Sequence, residues 1–300
     1  MPDQTGRTTL VTGCTVGGLG FHASLELARR GGRVVLAGRS SDRLVAAEEA
    51  IRREVPDAEL DQLVVDLADL TSVRLATSQA RAVGPIHCLL NNAGVMAAPY
   101  ARTSDGFEQQ LATNHLGPFL LTGMLLPQLV ESGEGRVVAV SSLFHRIARR
   151  APVGDPRHQE GRYLRWPAYA ATKLANLLFT FELDRRLRGA DLPARALAAH
   201  PGYAGTHLLA NGRFGRSSGG AASIVDAANR ALGQSPASGA LPLLMAATAD
   251  LPGATYCGPG GPGETRGLPE VVGTSRLARD EQAQRELWDI SERSVGFSYP

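Results

Sequence analysis

The sequence predicts a doubly wound α/β fold, a parallel sheet covered by helices on both faces. Three observations carry that expectation. Short β-branched or apolar runs alternate with longer helical patterns through most of the chain. The runs are apolar nearly throughout, not at every second residue, as strands buried on both faces require. A glycine-rich turn stands directly between the first run and the first helical pattern.

Taken in order, strands are expected at Thr8–Val11, Val34–Ala37, Leu63–Val65, Ile86–Leu90, Val137–Val140 and Ala194–Ala198. Helices are expected at Leu19–Arg30, Asp42–Val55, Leu70–Arg81, Gln109–Val130, Trp166–Arg188 and Asp280–Ser294. Such alternation means crossover helices between parallel neighbours. Two stretches break the rhythm: Leu143–Arg165, rich in Arg, Pro and Gly, and Tyr203–Ala222, with its Gly and Ser pairs. Both follow predicted strands, at the end where open α/β sheets bind ligands, and so are lid candidates. A third, Cys257–Gly273, is crowded with Gly and Pro and reads as a loop, and Val295–Pro300 reads as an extended tail. No linker divides the chain. Residues 1–300 read as one domain with variable loops at 143–165 and 203–222 and a C-terminal extension at 257–300.

Composition excludes several classes. Hydrophobic residues make up 43% and charged residues 20%, ordinary for a globular protein with a sizeable core. A net charge of +2 supplies no overall field for nucleic acid or an anionic membrane. Cys14, Cys88 and Cys257 are odd in number and scattered, which argues against a disulfide framework and fits a reducing cytosol. The polar N-terminus shows no signal-peptide pattern. The most apolar stretch, Phe119–Val130, is broken by Thr122, Gly123, Pro127 and Gln128 and is too short to span a bilayer. A cytoplasmic location is the expectation, and homo-oligomer formation is left open. His22, His87, His115, His145, His158, His200 and His207 show no metal spacing, so no metal is expected and packing or surface roles are.

The glycine turn is Thr12-Gly13-Cys14-Thr15-Val16-Gly17-Gly18-Leu19-Gly20. Glycines there let backbone approach a pyrophosphate, whose charge a helix N-terminus stabilises. Downstream, the second strand ends in Gly38-Arg39-Ser40 without an acid. An acid would hold the free ribose of NAD, whereas Arg39 suits a 2′-phosphate, so NADP(H) is expected. Asp66-Leu67 ends the third strand, where it could hold an adenine edge. Asn91-Asn92-Ala93-Gly94 ends the fourth with small residues against which a cofactor could lie. Lys173 is the sole lysine among 31 basic residues. It follows Tyr169 at i+4 on a predicted helix, where the two share a face. A compact ammonium near a phenol favours phenolate, which an arginine fork serves less well.

Thr12–Gly20, Asp66, Asn91–Gly94, Asn114, Ser141-Ser142, Tyr169-x-x-x-Lys173 and Pro201-Gly202 occur in the order of one family. Across residues 7–260 the chain resembles the short-chain dehydrogenases/reductases, with their Rossmann-type sheet. The long insertion before Tyr169, Asn114-His115-Leu116-Gly117 and His200-Pro201-Gly202-Tyr203 look most like the retinol-dehydrogenase-like branch. The resemblance implies hydride transfer between a nicotinamide and a carbonyl or alcohol of a mostly apolar small molecule, with Tyr169 as general acid/base. Lys173 would hold the nicotinamide ribose and lower the phenol pKa. Ser142, in preference to Ser141, would stabilise alkoxide charge. Asn114 would anchor a water in the proton relay, and Thr206 would contact the carboxamide beside Pro201 and Gly202. Cofactor contacts are expected from Gly13, Thr15, Gly17, Gly18, Leu19, Gly20, Arg39, Asp66, Leu67, Asn92, Ala93 and Gly94. The glycine loop departs from the family's TGxxxGxG by one extra residue, so Gly17 or Gly18 takes the central role. The same residues would also serve a non-redox epimerase- or dehydratase-like enzyme, or a non-catalytic NADP sensor. They do not name the substrate.

Overall fold

A computed structural model describes residues 1–157, 162–203 and 234–299. One eight-stranded sheet runs through the molecule in the order β3-β2-β1-β4-β5-β6-β7-β8. Its strands are β1 (Thr8–Thr12), β2 (Arg33–Gly38), β3 (Leu60–Val64), β4 (Cys88–Asn91), β5 (Gly135–Val140), β6 (Ala194–Ala199), β7 (Tyr256–Pro259) and β8 (Pro269–Val271). The first seven are parallel, and β8 closes the edge antiparallel to β7. The register places Leu10 between Val35 and Leu89. Strand alternation sends Leu10, Val35, Leu89 and Val137 into one core and Val11, Val34, Leu36, Leu90 and Val138 into the other.

Helices α1 (Leu19–Arg29), α2 (Ser41–Glu54) and α7 (Pro236–Thr248) supply apolar residues to the second core. The first core takes them from α3 (Leu70–Ala80), α5 (Gly117–Glu131), α6 (Arg165–Gly189) and α8 (Glu281–Val295). Their starts follow local chemistry. Ser40 accepts from the Arg43 amide, Asp69 from Thr71 and Ser72, and Asp280 from Gln282 and Ala283. A short helix α4 (Gln109–Leu111) enters α5 through a π turn at Ala112–Leu116. That inserted residue sends Asn114 and His115 to different partners, which matters below.

The expected strands and helices are found within a few residues of their predicted ends. The stretch Cys257–Gly273, expected as a loop, instead carries β7 and β8. Its glycine content misleads because packing demands it: a Cβ on Gly258 would lie 2.0 Å from His200 Nε2. Helix α7 was not anticipated; it begins after Ser235, which accepts from the Ser238 amide, with Pro236 in its first turn. The C-terminal tail does not simply extend. Phe297 and Tyr299 pack onto α5, where a Cβ on Gly123 would meet them at 2.5 and 2.7 Å, and the Tyr299 hydroxyl donates to Phe119 O. Trp288 fills the space between Phe119 and Phe179.

His115 points into this aromatic cluster, fully buried, with Nε2 2.8 Å from Ser291 Oγ. The serine hydroxyl donates to Leu287 O, so the imidazole is the donor to Ser291. Burial pulls the His115 pKa down to about 3. The folded protein therefore keeps the ring neutral while the unfolded chain binds a proton below pH ~6.5. Stability should be indifferent to this group above pH ~6.5 and fall as pH drops toward the folded value, by on the order of 1 kcal/mol per pH unit. His115→Gln keeps the donor but cannot ionise. Urea unfolding between pH 6.5 and 4 should show a shallower acid loss for the variant than for wild type; parallel curves would refute the assignment.

Candidate active site

Strand order reverses at β1, which has β2 on one side and β4 on the other, so a crevice opens at their carboxyl ends. Thr12 seals its floor. Its Oγ1 accepts from the Asn92 and Ala93 amides, both at 3.0 Å, and donates to Leu90 O. Asn92 Nδ2 donates to Thr12 O at 2.7 Å. Gly13 and Gly17 turn the chain with φ of +79° and +77°, a left-handed conformation that favours glycine. Gly18 is the N-cap of α1 and brings no side chain to its first amides. Gly17 therefore absorbs the extra residue of the loop, and Gly18 heads the helix. Gly20 packs against the loop's start: a Cβ there would lie 2.6 Å from Asn92 Nδ2 and 2.7 Å from Gly13 O. Thr15 accepts the Gly18 amide, and Leu19 is buried. The result is a backbone cradle whose helix-end amides carry no side-chain cap, the donor set a pyrophosphate fits.

The adjoining strand ends line the same crevice. Arg39 is exposed just past β2. Asp66, past β3, accepts from the Ala68 amide with one carboxylate oxygen. The Leu67 carbonyl lies where a Cβ on Gly117 would fall, 2.1 Å away. Gly94 sits beside both Asn114 Oδ1 and Lys173 Nζ, 3.0 and 3.6 Å from where its Cβ would be.

Across the crevice, α6 presents Tyr169 and Lys173, both buried. Lys173 Nζ donates to Val140 O at 3.0 Å and lies 5.6 Å from the Tyr169 ring centre. The Ser142 hydroxyl lies near enough to the phenol to pull its pKa down, and accepts from the Phe144 amide at 3.3 Å. Ser141 takes another partner, donating to Lys173 O at 2.7 Å. Asn114 is held on three sides: Oδ1 accepts from the Val95 amide, and Nδ2 donates to Val95 O and Thr172 Oγ1. Burial pushes the Tyr169 pKa up to about 12 against a downward pull from Ser142, and draws Lys173 down to about 8. The causes of the phenol's shift are burial first and Ser142 second.

The pattern of the short chain dehydrogenase family matches residues 7–152. Retinol dehydrogenase 13 of Homo sapiens is 37% identical over 305 residues, covering 98% of this chain and 86% of that protein. The chain belongs to this family, on its retinol-dehydrogenase-like branch. Polyprenol dehydrogenase of Mus musculus is 39% identical over 308 residues, covering 99% of this chain and 86% of that one. The crystal structure of an uncharacterised protein from Mycobacterium paratuberculosis is 40% identical, with a TM-score of 0.79, covering 100% of this chain and 97% of that one. The chain is accordingly a hydride-transferring alcohol/carbonyl oxidoreductase of the short-chain dehydrogenase type.

Pro201 and Gly202 follow β6, and Gly202 turns with φ of +64° against Thr265 O and Pro259. Thr206 and most of the stretch Tyr203–Ala222 lie outside the described residues. Sequence reading gave no role to Phe144 and Trp166. They stack at 5.1 Å and meet the Tyr169 ring at 5.6 and 6.4 Å, forming an aromatic wall beside the phenol. They stand at opposite ends of the insertion, and only the fold brings them together. Among the described residues no cluster of His, Cys, Asp or Glu could hold a metal ion, and no helix is long and apolar enough to cross a membrane.

The tight cradle makes a prediction. Gly20→Ala must displace Asn92 or the Gly13 carbonyl, an overpacking cost of about 1–3 kcal/mol. Thermal unfolding should shift down and nicotinamide-dinucleotide affinity should fall together; an alanine variant equal to wild type in both would show that the contact is loose.

Proposed function

We propose that this family member is an NADP(H)-dependent reductase of apolar carbonyl compounds, running as an alcohol dehydrogenase in reverse. The observation that carries the reading is the buried Tyr169 phenol, one helical turn from Lys173 and beside Ser142, which pulls its pKa down, facing a glycine cradle. Gly13, Gly17, Gly18 and Gly20 would hold the pyrophosphate, Asp66 and Leu67 the adenine, and Asn92, Ala93 and Gly94 the ribose side. Pro201, Gly202 and Thr206 would flank the carboxamide. When bound, the nicotinamide supplies or accepts the hydride.

The protein's own part is protonic and electrostatic. At neutral pH a phenol with a pKa raised toward 12 is protonated, so Tyr169 stands ready to donate to a carbonyl oxygen as charge builds there. Ser142 shares that oxygen as a second donor. Lys173 keeps its charge below pH ~8 and would bond the ribose hydroxyls from its post on Val140. Asn114, fixed by Val95 and Thr172, holds the neighbouring backbone of the relay. The Phe144–Trp166 wall gives a flat apolar surface for the substrate, and the relatives' names, retinol and polyprenol dehydrogenase, point to apolar alcohols of the same class.

Replacing Tyr169 with Phe should leave cofactor affinity nearly intact and lower turnover by ~10²-fold or more. NADPH oxidation against a panel of apolar aldehydes and ketones measures this, and near-normal turnover would overturn the reading.

Arg39 supports NADP(H) as the cofactor. Exposed beyond β2 with no carboxylate at that strand end, its guanidinium can meet a 2′-phosphate through paired charge-assisted hydrogen bonds. Arg39→Ala should weaken NADPH binding roughly ten- to a hundredfold and leave NADH almost unchanged. Titration of both cofactors tests it; equal losses, or a wild type that prefers NADH, would make Arg39 an ordinary surface arginine.

A further inference from the structure

Two histidines to which the catalytic reading gives no role sit directly behind the site, each fully buried. His145 Nδ1 lies 2.6 Å from the carbonyl oxygen of Ser142. A carbonyl can only accept, so Nδ1 carries the proton. Nε2 is then bare and accepts from the Ser275 amide at 3.2 Å. His200 is the opposite tautomer. Its Nδ1 accepts from the Gly202 amide at 3.2 Å, which leaves the proton on Nε2. That nitrogen lies 3.2 Å from Glu264 Oε2 without the geometry of a hydrogen bond, and Glu264 Oε1 receives Arg146 Nη2 at 2.6 Å. Arg146 also donates to Gly273 O. Both imidazoles pack on the Tyr256 ring, at 5.5 and 5.1 Å between centres.

We propose that His145 and His200 are paired positioning residues: His145 fixes the backbone of Ser142 on the substrate side of Tyr169, and His200 fixes the Gly202 turn on the cofactor side. The inference rests on the catalytic reading above for what the two segments do. Packing alone would be served by an apolar ring, since burying a polar ring costs free energy unless its hydrogen bonds are made. Here both ring nitrogens of His145 and one of His200 bond main-chain groups, and these include the backbone of Ser142 and Gly202. The backbone is shaped to admit the second ring. Gly258 leaves the space that His200 Nε2 fills, and Glu264 is held at φ +56° after Gly263 at +61°, an unfavourable conformation for a glutamate. Arg146, next to His145 in the chain, bonds Glu264 in the turn between β7 and β8, and Glu264 in turn lies 3.2 Å from His200, so that one turn borders both halves of the site.

The test separates bonding from volume. Phenylalanine keeps the ring and loses the bonds. Asparagine can place an amide N–H near the position of Nδ1 in His145, and an amide oxygen near Nδ1 in His200. His145→Phe should lower turnover roughly five- to tenfold with the NADPH dissociation constant unchanged. His200→Phe should instead weaken NADPH binding by a similar factor, read by quenching of tryptophan fluorescence, with a smaller effect on turnover at saturation. The asparagine variants should recover most of each loss. Glu264→Ala, at a partly exposed position, should weaken NADPH binding in the same sense as His200→Phe without removing a core ring. Assays are run well below each variant's thermal midpoint. Phe variants equal to wild type, Asn variants no better than Phe, or turnover and affinity falling together at both positions would overturn the proposal. Tyr169→Phe run alongside keeps the two readings distinct. If it turns over normally, the catalytic reading fails, while the NADPH titrations of His200→Phe and Glu264→Ala still judge the brace.

Discussion

The contact between the carboxyl ends of β1 and β4 is the constraint on which the site depends. Thr12 Oγ1 closes it by gathering the Asn92 and Ala93 amides, and Asn92 returns the bond to Thr12 O. These buried polar groups satisfy one another, so the crevice floor carries little unpaired cost. Because the strands are drawn together there, Gly13 and Gly20 must be glycines, and α1 is forced to begin pointing its uncapped amides into the crevice. The shape of this glycine cradle is thus a consequence of sheet closure as much as of the loop sequence.

The opposite wall is built on burial. Tyr169 and Lys173 lie on a helix packed against β5 and β6, where desolvation favours the neutral form of each group. Lys173 meets that cost by donating to Val140 O, and at Tyr169 the nearby Ser142 hydroxyl offsets part of it. The pair is held apart, ammonium over ring, and is not joined as an ion pair. The phenol is consequently protonated at neutral pH in the resting fold.

The edges of the fold contribute more than their irregular sequence suggests. The turn between β7 and β8 reaches His200, Arg146 and the Gly202 turn, while Gln234 bonds Pro201 and Tyr203 from the other side. Tyr163 anchors the end of the insertion on Glu108 and Gln110. Segments that look like loops are therefore pinned at their bases, as groups that must hold a substrate to a fraction of an ångström require.

Much was legible in the sequence because its signals are local. Six apolar runs became six strands, since burial on both faces leaves no polar alternation to misread, and Tyr169 and Lys173 share a face because helical spacing compels it. The glycine turn marked the crevice without the structure. What the sequence could not rank was Gly17 against Gly18, which the left-handed φ of the first and the capping place of the second decided. Nor could it show that β7 and β8 hide in a Gly- and Pro-rich stretch, since Gly258 answers to His200 across the sheet and not to its neighbours in the chain. Phe144 meets Trp166, and His145 and His200 meet on Tyr256, only after the strands pair. Sequence determines what short-range sterics and periodic burial impose; which distant side chains share a hydrogen bond is decided by packing, a property of the whole core.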